Sequence, residues 1–167
     1  MNDKYCTLVF LRREDEVLLA MKKRGFGAGN WNGVGGKIES DETLDEAIVR
    51  ETQEEISVTP LKWEKVAEHD SLMDSDTDSP WHMYVHTYIC EQWQGEPVES
   101  EEMKPQWYPI DNIPLEQMWA DDPFWLPQVL AGKKVVGTYT FDRHNQLVTH
   151  TVRICENLPG DIPTHKA

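Results

Sequence analysis

The 167-residue sequence predicts an α/β fold in which a mixed β-sheet is sandwiched by helices. Three features carry that reading. Strand-like runs recur along the chain, an amphipathic helix pattern covers residues 43 to 56, and a short second helix pattern precedes two closing strands. Strands interleaved with two helices bury each helix stripe against a sheet face, which makes layers around one core. The length fits one domain that needs no staples. That domain is placed at residues 1 to 155; residues 156 to 167, with two prolines and few apolar residues, are expected to form a tail.

"KYCTLVFLRR" at 4 to 13 and "EVLLAMKK" at 16 to 23 predict two paired strands across a charged turn. "RGFGAGNWNGVGGK", residues 24 to 37, holds six glycines and predicts a loop. The helix that follows is expected to start with Ser40 or Asp41 as N-cap and to run to about Ile56, with Asp41, Glu42 and Asp45 near its positive end. Beyond Pro60, "LKWEKVAEHDSLM" predicts a strand and "DSDTDSP" at 74 to 80 a turn. That turn lacks Gly at 79 and a Glu twelve places after Asp74, so a calcium loop is excluded.

"WHMYVHTYIC" alternates strictly, with Trp81, Met83, Val85 and Ile89 on one face and His82, Tyr84, His86 and Tyr88 on the other. In a strand, His82 and His86 do not form a zinc pair. "QWYPI" at 106 to 110 is a further short strand. In "DDPFWLPQVLAG", Asp122 is the expected N-cap, Pro123 the first helical residue and Gly132 the terminator, while Pro127 should kink or shorten the helix. "KVVGTYTF" and "LVTHTVRI" predict a closing hairpin across "DRHNQ".

Composition narrows the function. Apolar residues make up 39% and charged residues 28%, and no apolar run approaches the ~20 residues that cross a bilayer, so a membrane partner is not expected. A net charge of −14 argues against polymeric nucleic acid, whose backbone needs a basic face. A small phosphorylated ligand escapes that objection when divalent cations accompany it. The N-terminus shows no export pattern, and Cys6, Cys90 and Cys155 are an odd number with no CxxC spacing, so a cytoplasmic location is expected.

The acids of the first helix are placed unusually. On a wheel of ~100° per residue, Leu44, Ala47, Ile48, Glu51, Glu54 and Glu55 share one sector, so carboxylates continue the apolar stripe. Glu42, Glu46, Arg50 and Gln53 take the other side, where Glu46 and Arg50 are spaced to pair. Glu51, Glu54 and Glu55 repel one another and sit at the negative end of the helix dipole, with no basic residue between 51 and 61. They are either a solvated helix end or hard oxygen ligands for Mg²⁺ or Mn²⁺.

Gly36, five residues, Glu42, seven residues, then "RETQEE" at 50 to 55 and Val58 resembles the Nudix box, a highly specific 23-residue pattern. Thr52 stands where the pattern has an aliphatic residue and Ser57 where it has Gly. "MKKRGFGAGNWNGVGGK" at 21 to 37, "PVESEEMKPQW" at 97 to 107 and "MWADDPFW" at 118 to 125 extend the resemblance over about residues 5 to 154. They narrow it to the MutT-like Nudix hydrolases of animals, which act on oxidised purine nucleoside triphosphates.

That resemblance implies an α/β/α sandwich. It also implies Mg²⁺-dependent cleavage of triphosphates such as 8-oxo-dGTP into monophosphate and pyrophosphate, which sanitises the nucleotide pool. The expected partner is a nucleoside triphosphate with its divalent cations, bound to a monomer. Gly35 (through its carbonyl), Glu51, Glu54, Glu55 and Glu102 match the metal positions, with Glu51, Glu55 and Glu102 as candidate bases. Thr7, Lys22, Asn32, the backbone of Val34, Gly35, Gly36 and Lys37, and Trp119, Ala120, Asp121 and Asp122 match the nucleotide pocket.

Each transferred residue also has an ordinary reading. Lys22 is a phosphate contact or a solvated strand-end lysine; Asn32 reads a purine edge or makes a turn; Trp119 stacks a base or packs in the core. Asp121 and Asp122 can divide the tasks of accepting an N–H and donating to a carbonyl, or Asp122 simply caps a helix. The strand near "EHDSLMDSD" offers Ser71, Leu72 and Met73 where the resemblance predicts aromatic residues. A Nudix hydrolase of a nucleotide sugar or dinucleotide, and a non-catalytic nucleotide sensor, are the alternatives.

Overall fold

The computed structural model describes residues 2–76 and 79–166, so the turn expected at 74 to 80 lies partly outside the described residues. In chain order the elements are β1 (Lys4–Arg13), β2 (Glu16–Lys22), β3 (Trp31–Asn32), β4 (Val34–Lys37), α1 (Leu44–Ile56), β5 (Thr59–Met73), β6 (Trp81–Gln94), β7 (Met103–Pro109), α2 (Asp122–Leu130), β8 (Lys134–Phe141) and β9 (Leu147–Cys155). A 3₁₀ turn at Leu115–Gln117 precedes α2.

The sheet is mixed. Its central order is β3-β2-β1-β6-β5-β8-β9, with β4 on β1 and β7 on β2. The β1–β6 and β5–β8 pairs are parallel, and the remaining pairs antiparallel. Both faces are covered, which explains the near-continuous apolar runs of β1 and β2. Phe10, Val17 and Leu19 point into one cluster with Trp125, Leu126, Val129 and Leu130 of α2. Val9, Leu11, Leu18 and Ala20 point into the other with Ile48 and Ile56 of α1. Successive side chains of a strand therefore feed the two layers of a sandwich. Each fully buried Ile of α1 contributes ~1.5–3 kcal/mol to docking the helix.

Four expectations need correction. Residues 24 to 37 are not all loop, because β3 and β4 form inside them. Gly35 makes β4 feasible: a Cβ there would lie 1.9 Å from the Thr7 carbonyl oxygen on β1. The cap of α1 is Thr43 rather than Ser40 or Asp41. Its hydroxyl accepts from the Glu46 N–H and its own N–H donates to the Glu46 carboxylate, both at 3.1 Å, a reciprocal capping box.

Glu46 is therefore engaged at the cap, and Arg50 pairs elsewhere. Finally, Asp122 is the first residue of α2 and not its N-cap; Asp121 occupies the cap position and makes no capping bond with its side chain. Pro127 sits inside α2, which ends three positions later at Leu130 in a Schellman closure. Gly132 supplies the left-handed residue (φ +91°), and the Lys133 N–H reaches the Gln128 carbonyl at 3.0 Å.

Segment 156–166 contains neither strand nor helix, yet it lies along the molecule. The Gly160 N–H donates to Glu68 Oε1 at 3.0 Å, the Pro163 carbonyl meets His86 Nε2 at 3.1 Å, and His165 Nε2 meets the Glu39 carbonyl at 3.1 Å.

Candidate active site

The site is built where α1 crosses β4. The face of α1 bearing Ala47, Ile48, Thr52 and Ile56 is buried, and the adjoining stripe carries Glu51 and Glu55 toward β4. Thr52 fills its position without harm, since its hydroxyl donates to the Ile48 carbonyl at 2.7 Å. Gly36 makes room for Glu51, because a Cβ at residue 36 would come within 2.7 Å of Glu51 Oε1. One residue earlier, the Gly35 N–H donates to Glu55 Oε2 at 3.3 Å. Two helix carboxylates thus converge on the backbone of two glycines.

Arg50 orients this pair from the side. Its guanidinium donates to both carboxylate oxygens of Glu42 (2.5 and 2.7 Å), to Glu51 Oε1 (2.9 Å), to Glu54 Oε2 (3.3 Å) and to the Lys37 carbonyl (3.0 Å). Glu42 thereby acts as a clamp for Arg50, a role that helical spacing from Glu46 did not suggest. Glu54 remains largely exposed.

Burial, then the neighbouring Glu51 charge, pushes the Glu55 carboxyl up to about 8. Burial also raises Glu51, against the pull of Arg50. Both carboxyls are shifted upward by burial although Arg50 reaches Glu51, and an all-oxygen donor set suits a hard divalent cation. Glu51 and Glu55 supply carboxylate oxygens of that kind beside the Gly35 backbone.

The other expected ligand points elsewhere. Glu102 accepts from Arg24 Nε at 2.9 Å and Nη2 at 2.5 Å, and that bond holds its carboxyl below the usual range. Among the described residues, no three His, Cys, Asp or Glu side chains are grouped to hold a metal ion. The structure therefore joins Glu51 with Glu55 but not with Glu102, and it turns Glu54 outward.

A cavity of about 160 Å³ opens beside this corner, and Gly35 and Gly36 form part of its wall. Of the residues expected to bind nucleotide, Thr7, Lys22, Asn32, Trp119, Asp121 and Asp122 also line it. Val34 instead packs in the α1-side core, Lys37 is exposed, and Ala120 lies in the turn before α2. Asn32 uses its Oδ1 to accept from the Gly33 N–H at 2.8 Å, which leaves its amide hydrogens to offer. Thr7 is 2% exposed and its hydroxyl has no partner among the described residues. No ion pair occupies the Lys22 ammonium among the described residues.

Trp119 closes one side. Its ring lies 5.1 Å from Phe26 and 5.9 Å from Phe141, and it would touch a Cβ at Gly27 at 3.4 Å. Phe26 and Phe141 supply aromatic lining that residues 71 to 73 lack, where Ser71 faces the cavity and Met73 is core. Their place there was hidden because Phe26 stands in a glycine-rich loop and Phe141 at the end of β8.

The acid pair does not cap its helix. Asp121 accepts from Trp125 Nε1 at 2.9 Å, while Asp122 is 3% exposed and its Oδ2 has no partner among the described residues. Burial raises the Asp121 carboxyl to about 6 against the Trp125 bond. Burial and the Asp121 charge push Asp122 well above the carboxylate range. Both acids are raised and share a buried site, so one can keep its proton as a donor while the other ionises as an acceptor.

The chain is similar to known proteins in sequence and in fold. The sequence matches the NUDIX domain across residues 4–129. It is 43% identical over 157 residues to an oxidized purine nucleoside triphosphate hydrolase of Danio rerio, covering 94% of this chain and 99% of that protein. A protein of the same description from Mus musculus is 41% identical over 147 residues, covering 88% of this chain and 92% of its own. Among solved structures, the mutator MutT protein of Bacillus halodurans shares the fold with a TM-score of 0.77 at 24% identity, over 89% of this chain and 97% of that one.

Proposed function

The chain belongs to the Nudix family, and from that premise we propose that it hydrolyses oxidised purine nucleoside triphosphates such as 8-oxo-dGTP to the monophosphate and pyrophosphate, sanitising the nucleotide pool. One observation carries the reading: a single cavity is bounded both by the Asp121–Asp122 pair and by the glycines that receive Glu51 and Glu55. A base and a phosphate chain can occupy such a space together. The described relatives from Danio rerio and Mus musculus support the same substrate class.

Glu51, Glu55 and the Gly35 carbonyl, with Glu54 and Glu102, are the groups that would hold Mg²⁺, or Mn²⁺ in its place. Such an ion supplies charge neutralisation for the triphosphate and a bound water of lowered pKa. The chain's own residues do the rest. Lys22 meets phosphate charge at the cavity mouth. Asn32 donates its amide hydrogens to the base, Trp119 offers a face for stacking worth ~1–3 kcal/mol, and Asp121 and Asp122 read the purine edge with one carboxylate and one carboxylic acid. Water adds to phosphorus as the bond between α- and β-phosphate units breaks, and a nearby carboxylate, Glu51, Glu55 or Glu102, accepts its proton.

The active unit spans residues 1 to 155, works as a monomer and resides in the cytoplasm; free Cys6, Cys90 and Cys155 support a reducing compartment. No helix among the described residues is long and apolar enough to cross a membrane. Pyrophosphate release across normal and oxidised deoxynucleoside triphosphates, with kcat/KM for each, tests the proposal. Preference for oxidised purines and silence in EDTA are expected, and equal kcat/KM for all bases overturns the sanitising role.

A further inference from the structure

A buried polar pair in the cavity wall is left unused by that reading. On β5, His69 is 3% exposed, lines the cavity and lies with its ring centroid 4.3 Å from that of Trp125. Its Nδ1 is 3.1 Å from the Tyr139 hydroxyl on the neighbouring strand β8. The register explains the meeting. His69 stands opposite Gly137, and Tyr139 folds back over that glycine, where a Cβ would come within 2.0 Å of the phenol oxygen. A glycine two positions before the tyrosine is what lets the hydroxyl reach the imidazole.

His69 Nε2 has no partner among the described residues. An unmade bond at a buried polar atom costs ~1–3 kcal/mol, and a ligand can supply it. The ring is neutral, because burial and then His86 lower its pKa to about 3. Burial and the Asp121 and Asp122 charges keep the phenol protonated. A phenol is the better donor and a neutral imidazole nitrogen the better acceptor, so the Tyr139 O–H donates to Nδ1 and the ring proton rests on Nε2.

We propose that His69, held in its Nε2–H form by Tyr139, is a further specificity-determining residue that donates a hydrogen bond to a ring nitrogen or carbonyl oxygen of the bound purine. The inference rests on the nucleotide reading of the cavity given above. It adds a fixed donor to the wall shared with Trp125 and the two aspartates, and it selects bases that present an acceptor there.

The test is kcat/KM for 8-oxo-dGTP, dGTP, dATP and a pyrimidine triphosphate on the wild-type chain, H69L, H69Q and Y139F. H69L should lose about tenfold or more on the best purine through KM, with kcat within about threefold. H69Q keeps an N–H near the same place and should recover most of that loss. Y139F keeps the ring, frees the tautomer and should lose discrimination to an intermediate degree. An equal fall for every base, or base ratios in H69Q and Y139F that match wild type while H69L fails to fold, overturns the role of His69. A wild-type chain without any base preference overturns the nucleotide reading itself; a wild-type preference kept intact by all three variants overturns only the inference about His69.

Discussion

Glu51 occupies the space that a side chain at Gly36 would need: a Cβ there would lie 2.7 Å from Oε1 and 2.8 Å from Cδ. The obstacle is the end of a side chain, which can swing away at small cost to the fold. G36A is therefore expected to lower kcat/KM by about tenfold or more by displacing Glu51, with a change in Tm of only a few degrees. Gly35 is the internal contrast, since its Cβ would strike the Thr7 backbone oxygen at 1.9 Å. G35A should cost about 3 kcal/mol or more of stability. Thermal melts beside steady-state kinetics check both; equal loss of Tm in the two variants would contradict the assignment.

Glu55 is the half-buried partner of Glu51 and accepts from the Gly35 N–H. E55Q keeps its shape and removes its charge, so kcat should fall by roughly 10²-fold or more, as for loss of one electrostatic stabiliser. Circular dichroism should be unchanged. A kcat within about threefold of wild type would rule Glu55 out of the chemistry.

Ser57 ends α1 in the left-handed region at φ 62°, ψ 30°. Its N–H still reaches the Gln53 carbonyl at 3.1 Å, so the closure forms, but a residue with a Cβ is strained there. S57G should stabilise the protein by about 0.5–1 kcal/mol and leave kcat/KM unchanged. Chemical denaturation reads the gain. A less stable S57G would mean that the flexibility glycine adds to the unfolded chain outweighs the relieved strain.

What could be read from the sequence depended on how local each signal was. The periodicities of β1, β2, β6 and α1 are confined to single segments, and those elements lie where the pattern put them. The same holds for Glu51 and Glu55, whose direction follows from the wheel that buries Ala47 and Ile48. Strands β3 and β4 were masked because glycine composition reports backbone freedom, whereas Gly35 uses its missing Cβ to approach Thr7. The His69–Tyr139 bond joins residues 70 positions apart and exists only through the β5–β8 register, so no local pattern could announce it. Arg50 chose Glu42 over Glu46 because the Thr43 capping box had already engaged Glu46.

Asp122 gives a pH-dependent signature whose sign follows from burial. Its carboxyl, and that of Asp121, bind a proton more tightly in the folded chain than in the unfolded one. Below about pH 4, the ordinary aspartate value, both states are protonated and neither group affects stability. As pH rises above that value, the unfolded chain ionises freely while the folded chain holds its protons, so stability falls until the folded groups ionise as well. Asp121 reaches that point at about pH 6, and Asp122 higher.

An amide escapes this loss because it has no charge to bury. D122N should therefore melt at a higher temperature than wild type at pH 7.5, with the difference shrinking toward zero near pH 4. Thermal melts of both proteins from pH 4 to 8 decide the matter. A difference that does not vary with pH, or a D122N that is less stable at pH 7.5, would show that the Asp122 carboxyl is already ionised and paired at neutral pH.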